Sequence, residues 1–267
     1  MAPLKFCANL SWLFTELPDF SQRIFAAAAA GFQAVEAAWL YESDLQELQR
    51  AQEATGVEVV LINTPPGDAK AGDSGLGAVP ERETDFREGL QLALKYATGL
   101  GCKRIHLMAG RVPVGSHRRE VAQEMEDVFV QNLKYAADVL LKHGITGFIE
   151  PINTRLTDPT YFLDSPHQAV AILEKVGKPN IKLQMVIFRS PRFQAGMSLT
   201  VLGSSTTATS SVPWRSSTTR DTSGVNTSHS GPQRTVWGGS KIIGQARSNE
   251  HNLPINVMNS IFCVRIQ

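Results

Sequence analysis

Cysteine is scarce in this sequence. Cys7, Cys102 and Cys263 are odd in number and far apart, so neither a disulfide framework nor a cysteine-based zinc motif is written here, and a reducing compartment is the default. Net charge is nearly absent. The 26 lysines and arginines stand against 25 aspartates and glutamates, a formal balance of +1, which removes the electrostatic reason to expect nucleic acid or an anionic membrane as the main partner. No apolar run is long enough to span a bilayer. Met1 to Phe14 has one basic residue, an early Asn9 and no small-residue cleavage site, which makes a poor signal peptide. The expectation is a cytoplasmic protein.

Acids are missing from one part of the chain only. Asp221 is the sole carboxylate between Val186 and Arg247, while residues before Met185 are well supplied with them. Chemistry that needs acids must come mostly from the earlier part. From about Phe188 to Asn249 the text is rich in Ser, Thr and Gly without a secondary-structure period. Short apolar remnants at Met197–Leu202, Lys241–Ile243 and Asn259–Ile266 interrupt it, and they bury little area. Two regions are therefore expected: a packed domain over residues 1–187 and a low-complexity, largely irregular or disordered tail over 188–267.

What is present before the break is a repeated unit: a short apolar segment, a polar turn, an amphipathic segment, then glycine. That is the signature of parallel βα units. Strands are expected at Leu4–Ala8, Ala34–Ala38, Val57–Asn63, Arg104–Ala109, Thr146–Glu150 and Ile181–Ile187. Helices are expected at Leu17–Ala30, Ser43–Thr55, Glu83–Leu100, Arg118–Lys142 and Ser165–Val176, the last with Ser165 as cap and Pro166 in the first turn. Residues Thr64–Pro80 hold too many prolines and glycines for either element and read as a lid over a site. The fold class is α/β, an incomplete (β/α)8 barrel of about six units. Six strands leave two raw edges, because a barrel closes only when its last strand meets its first.

In such an array the loops after the strands form the active face. Polar residues at the ends of apolar runs are then the candidates: Asn9, Glu36, Asn63, His106, Glu150 and Gln184. Glu150 ends a buried run just before Pro151, where a carboxylate serves as proton acceptor, metal ligand or ion-pair partner. His106 is alone on an apolar strand, either a satisfied core histidine or a substrate contact. Glu36 reads as a floor ion pair or an orienting group, and Asn63 as a substrate contact or a loop-backbone partner. Arg111, after Met108-Ala109-Gly110, offers a guanidinium fork for a substrate carboxylate, or is a solvated loop cation.

Seven segments in order, Phe6–Leu13, Leu61–Asp68, Gly75–Pro80, Phe86–Gly89, Ile105–Gly110, Glu150–Arg155 and Leu183–Met185, resemble hydroxypyruvate isomerase. The resemblance runs from the start to Met185. It implies a xylose-isomerase-like TIM barrel that interconverts hydroxypyruvate and 2-hydroxy-3-oxopropanoate through an enediol, using two glutamates, of which the first maps onto Glu150. It makes a 2-oxo acid the small-molecule partner, for which His106, Asn63 and Arg111, singled out above by their positions, are the substrate-binding candidates; nucleic acid and membrane stay excluded by the charge balance, and a homo-oligomer stays open.

No cofactor is certain from the residues. By resemblance a divalent metal, Mg or Mn, would sit on Glu150, yet Val186 stands where the family has Asp and Arg189 where it has His. The second glutamate has no assignable counterpart. Little or no activity is therefore expected of this chain, whose ending reads as that of a truncated isoform. The alternatives are a non-catalytic variant that pairs with a full-length copy, and a related sugar isomerase or epimerase.

Overall fold

A computed structural model describes residues 5–186, 200–201 and 263–265, all within one compact unit. Six parallel strands alternate with five helices. They are β1 (Lys5–Asn9), α1 (Phe20–Ala29), β2 (Ala34–Ala37), α2 (Leu45–Thr55), β3 (Glu58–Asn63), α3 (Glu83–Gly99), β4 (Arg104–His106), α4 (Arg118–Leu141), β5 (Thr146–Ile149), α5 (Pro166–Val176) and β6 (Ile181–Leu183). Each strand pairs in parallel with the next in sequence, giving the partial α/β barrel that the repeated unit implies.

Local chemistry sets the element ends. The Asp44 carboxylate accepts from the Gln46 and Glu47 amides to cap α2, and the Ser165 hydroxyl accepts from the Gln168 amide to cap α5. Both helices stop at a left-handed glycine, Gly56 and Gly177, which carry no Cβ penalty there. Helix α4 lays Met125, Phe129, Leu133, Ala136, Ala137 and Leu140 along one face into the core, a spacing of three and four. The core lies between this helical layer and the strands, with Ile62, Ile105 and Ile149 fully enclosed. Asn132 is the buried polar exception on α4, and its amide donates to the Gly77 carbonyl at 2.9 Å, fastening the 64–80 loop from behind.

Three expectations need correction. Strand β4 ends at His106 and not Ala109, because the following backbone pairs with the 64–80 loop: the Gly77 amide donates to Met108 O at 3.0 Å and the Ala78 amide to Ala109 O at 2.7 Å. Strand β6 ends at Leu183 and not Ile187. Met185–Val186 instead forms β7, antiparallel to β8 (Thr200–Val201). The edges are not both raw either, since β9 (Cys263–Arg265) pairs antiparallel with β1 and occupies its outer backbone groups. Strands β8 and β9 fall within the expected apolar remnants 197–202 and 259–266. The rest of the irregular tail expected over 188–267 lies outside the described residues. Among those described, no helix is long and apolar enough to cross a membrane.

Candidate active site

Parallel register delivers the strand-end residues side by side. Asn9 on β1 lies opposite Glu36 on β2, and Asn63 on β3 lies opposite His106 on β4. A register shift between Val35 and Glu36 marks a bulge in β2, a device that re-aims the side chain beside it. All six strand-end candidates, Asn9, Glu36, Asn63, His106, Glu150 and Gln184, line one cavity of about 330 Å³, and Arg111 joins them.

At the floor, the Asn9 amide donates to Glu36 Oε1 at 2.8 Å, and the Cys7 thiol points to Glu36 Oε2 at 3.8 Å. Asn9 is itself held, because its Oδ1 accepts from the Ser11 amide at 3.0 Å. Glu36 is thus a carboxylate oriented from both oxygens. Across the cavity the Gln184 side-chain amide donates to Glu150 Oε2 at 3.1 Å, and the Gln184 backbone amide donates to Ile149 O at 2.9 Å. Asn63 sends its amide toward Met108 Sδ at 3.6 Å, while its carbonyl accepts from the Tyr41 hydroxyl.

Burial pushes the Glu150 carboxyl up to about 8, with the Glu36 charge adding to the rise and the Gln184 hydrogen bond opposing it. At neutral pH Glu150 is therefore mostly a neutral acid, poised to exchange a proton at mildly alkaline pH. His106 moves the other way. Burial lowers it to about 4, so its ring is neutral at pH 7, and its buried Nε2 has no hydrogen-bond partner. His106 lines the cavity, and its unpartnered ring nitrogen keeps hydrogen-bonding capacity that a ligand oxygen could use.

At the mouth, Arg111 Nε donates to Asp158 Oδ2 at 2.7 Å and its Nη1 donates to Gly72 O at 2.5 Å. Burial alone would raise the Asp158 carboxyl, but the hydrogen bonds from Arg111 and Thr160 hold it below its usual value. Tyr161 also lines the cavity, its hydroxyl accepting from the Ala109 amide at 3.0 Å, and burial pushes its phenol pKa up, keeping it protonated. Trp12 and Trp39 flank the opening, 57% and 40% exposed. Asp158, Tyr161, Trp12 and Trp39 escape sequence reasoning because they sit in irregular loops with no period to flag them. The one available signal is that both tryptophans fall three residues after a strand-end polar group.

The glycine pair Gly75 and Gly110 lies next in sequence to the cavity-lining Ser74 and Arg111. Both have positive φ, 104° and 98°. A Cβ on Gly110 would collide with the Gly75 carbonyl, and one on Gly75 with the Met108 side chain. The loop therefore lies backbone to backbone on the chain that follows β4.

The donor set does not fit a divalent-metal centre. Among the described residues no three His, Cys, Asp or Glu side chains cluster as ligands, and the Glu150 carboxyl is held by an amide donor. A second hollow of about 320 Å³ lies between the 64–80 loop and α3, lined by Pro65, Leu76, Phe86 and Gly89 among others. Its cation Arg82 is paired with Asp85 and Asp73, and Asp68 and Glu88 also line it.

Residues 24–189 match the family model of the xylose isomerase-like TIM barrel. A Danio rerio protein named "Putative hydroxypyruvate isomerase" is 69% identical over 188 residues, which cover 70% of this chain and 68% of that protein. The Escherichia coli protein named hydroxypyruvate isomerase is 37% identical over 198 residues, 74% of each chain. A crystal structure titled AP endonuclease, family 2, from Brucella melitensis superposes with a TM-score of 0.62 at 39% identity, covering 68% of this chain and 67% of that one.

Proposed function

We propose, from the premise that the chain belongs to the hydroxypyruvate isomerase family of xylose isomerase-like TIM barrels, that its cavity binds hydroxypyruvate and moves a proton between the two carbons next to its carboxylate. As a family member it is an isomerase. The observation that carries the finer reading is the convergence of Glu150, His106, Asn63 and Arg111 on one cavity of small-molecule size.

In this reading Arg111 takes the substrate carboxylate with the guanidinium donors that Asp158 and Gly72 leave over. Ionised Glu150 removes a proton from the hydroxymethyl carbon. The electron pair forms the enediol double bond and the ketone oxygen gains the charge, which the neutral His106 ring and the Asn63 amide stabilise by hydrogen bonds. Return of a proton to the former ketone carbon, with the hydroxyl proton passing between the two oxygens, gives 2-hydroxy-3-oxopropanoate. No oxidant is needed. No step is routed through a metal, since the donors among the described residues do not cluster as a metal site.

Two proton transfers at adjacent carbons call for two acid/base groups, and the family's second glutamate has no counterpart in this sequence. Turnover is expected to fall about 10²–10⁴-fold below that of a relative with both groups. The test is hydroxypyruvate consumption by the purified chain beside the E. coli relative and beside Glu150→Gln. A rate near the relative's, abolished by the substitution, would overturn the impairment. Residual turnover unaffected by Glu150→Gln would overturn the role of Glu150.

A further inference from the structure

We propose that Asp158 is a positioning residue that makes the cavity selective for anionic substrates, by holding the Arg111 guanidinium across the mouth with its unused donors toward the bound carboxylate. The inference rests on the functional reading above and adds a residue and a selectivity to it.

Arg111 follows Gly110 in an irregular stretch, where a long side chain has no helix or strand to fix it. Two contacts fix it instead. Nε donates to Asp158 Oδ2 at 2.7 Å, from the loop after β5, and Nη1 donates to Gly72 O at 2.5 Å, from the loop after β3. A guanidinium has five N–H donors in one plane, and holding it by Nε and Nη1 to acceptors on two different loops fixes that plane and leaves the remaining donors in defined directions. Both Arg111 and Asp158 line the cavity.

Asp158 is itself immobilised. Its other oxygen, Oδ1, accepts from the Thr160 amide at 3.1 Å and the Thr160 hydroxyl at 2.9 Å, so the two carboxylate oxygens are divided between a loop anchor and the arginine. The backbone continues the arrangement, because Arg111 and Tyr161 form an antiparallel bridge and the Val112 amide donates to Thr160 O at 2.8 Å. The Asp158 side chain is 10% exposed, whereas the Arg111 side chain is 40% exposed. A buried carboxylate with both oxygens engaged orients a neighbour that faces the opening; the reverse assignment would leave the mobile partner positioning the fixed one.

An acid next to a cation has two opposite consequences for anion binding. It lowers the local positive potential, which weakens an anion, and it restricts the fork, which strengthens a carboxylate that fits. The positioning reading says that the second effect wins. The sign of the change on removing Asp158 therefore separates it from simple charge neutralisation.

The experiment is calorimetric titration of the full chain with tartronate, a stable carboxylate analogue, and with uncharged dihydroxyacetone, using wild type, Asp158→Ala, Asp158→Asn and Arg111→Ala, each with a melting curve. Expected are a loss of tartronate affinity of about tenfold or more in Asp158→Ala and in Arg111→Ala, recovery of most of it in Asp158→Asn, which keeps an acceptor for Nε, and dihydroxyacetone affinity unchanged throughout. Tighter tartronate binding in Asp158→Ala, or equal weakening of both ligands, overturns the proposal. If Asp158→Ala does not fold, Asp158→Asn decides: tartronate affinity raised above wild type overturns the proposal, and affinity near wild type with Arg111→Ala weakened supports it. Wild type that binds neither tartronate nor hydroxypyruvate would overturn the functional reading itself, a result distinct from failure of the Asp158 arm.

Discussion

Two hollows of nearly equal size, about 330 and about 320 Å³, open on the same side of the sheet's loops and are built from opposite materials. The first collects one polar residue from the end of each of six strands, several of them buried, with the Glu150 carboxyl and the His106 ring moved in opposite directions by burial. The second is walled by Pro65, Leu76 and Phe86, its cation Arg82 is paired with Asp85 and Asp73, and its further carboxylates Asp68 and Glu88 are exposed to solvent. Volume is the same in both. What separates them is whether polar groups were taken out of water and left facing empty space, a cost that a fold retains where a ligand compensates it.

Substitutions at the two places should therefore fail in different ways. The largest effect is expected at Phe86→Ala, which removes a fully enclosed ring beside the second hollow and should cost about 3 kcal/mol or more of folding stability, read from urea unfolding, with the tartronate affinity of the folded fraction unchanged. Loss of tartronate affinity in that variant would break the comparison.

At His106→Leu the two readouts should part company. Replacing an unpartnered buried imidazole by an apolar side chain of similar size should leave stability unchanged or raise it by about 1 kcal/mol, while hydroxypyruvate turnover or binding drops. A destabilised variant would show that the ring is a structural core residue.

The smallest change, in pH dependence, is expected for Glu36→Gln. Removing the neighbouring charge should move the Glu150 transition below its present value of about 8, visible in the pH profile of residual turnover or in an NMR titration. Linkage gives a second readout. Because folding raises Glu150 from 4.5 to about 8, its contribution to stability is fully present below pH 4.5 and is lost as pH rises through about 8. Glu150→Gln should flatten the stability profile in that window, and a slope that survives the substitution would assign it to another group.

Much of the first hollow could be read from the chain. Asn9, Glu36, Asn63, His106, Glu150 and Gln184 stood out as polar residues ending apolar runs, and parallel strands gather such ends at one mouth regardless of the side-chain details. Element existence followed from the glycine-punctuated repeat. What failed were lengths: Met108 and Ala109 look like strand residues in composition, yet their backbone partners come from the 64–80 loop, a pairing with no local signal. Asp158 was hidden for the same reason. Between Thr157 and Pro159 it reads as a turn residue, and only the long-range meeting with Arg111 across 47 positions gives it a task.

The contact between Gly75 and Gly110 has a consequence for how this molecule can diversify. Behind Ser74, Met108 and Arg111, which line the chamber, main chain is pressed against main chain, so no side chain can be added at Gly75 or Gly110 without moving the backbone that carries those residues. Enlargement on that flank would require the whole 64–80 segment to be rebuilt. Adaptation to a longer or bulkier molecule is left to the opposite rim, where Trp12 and Trp39 stand half in solvent and can be shortened without disturbing the frame.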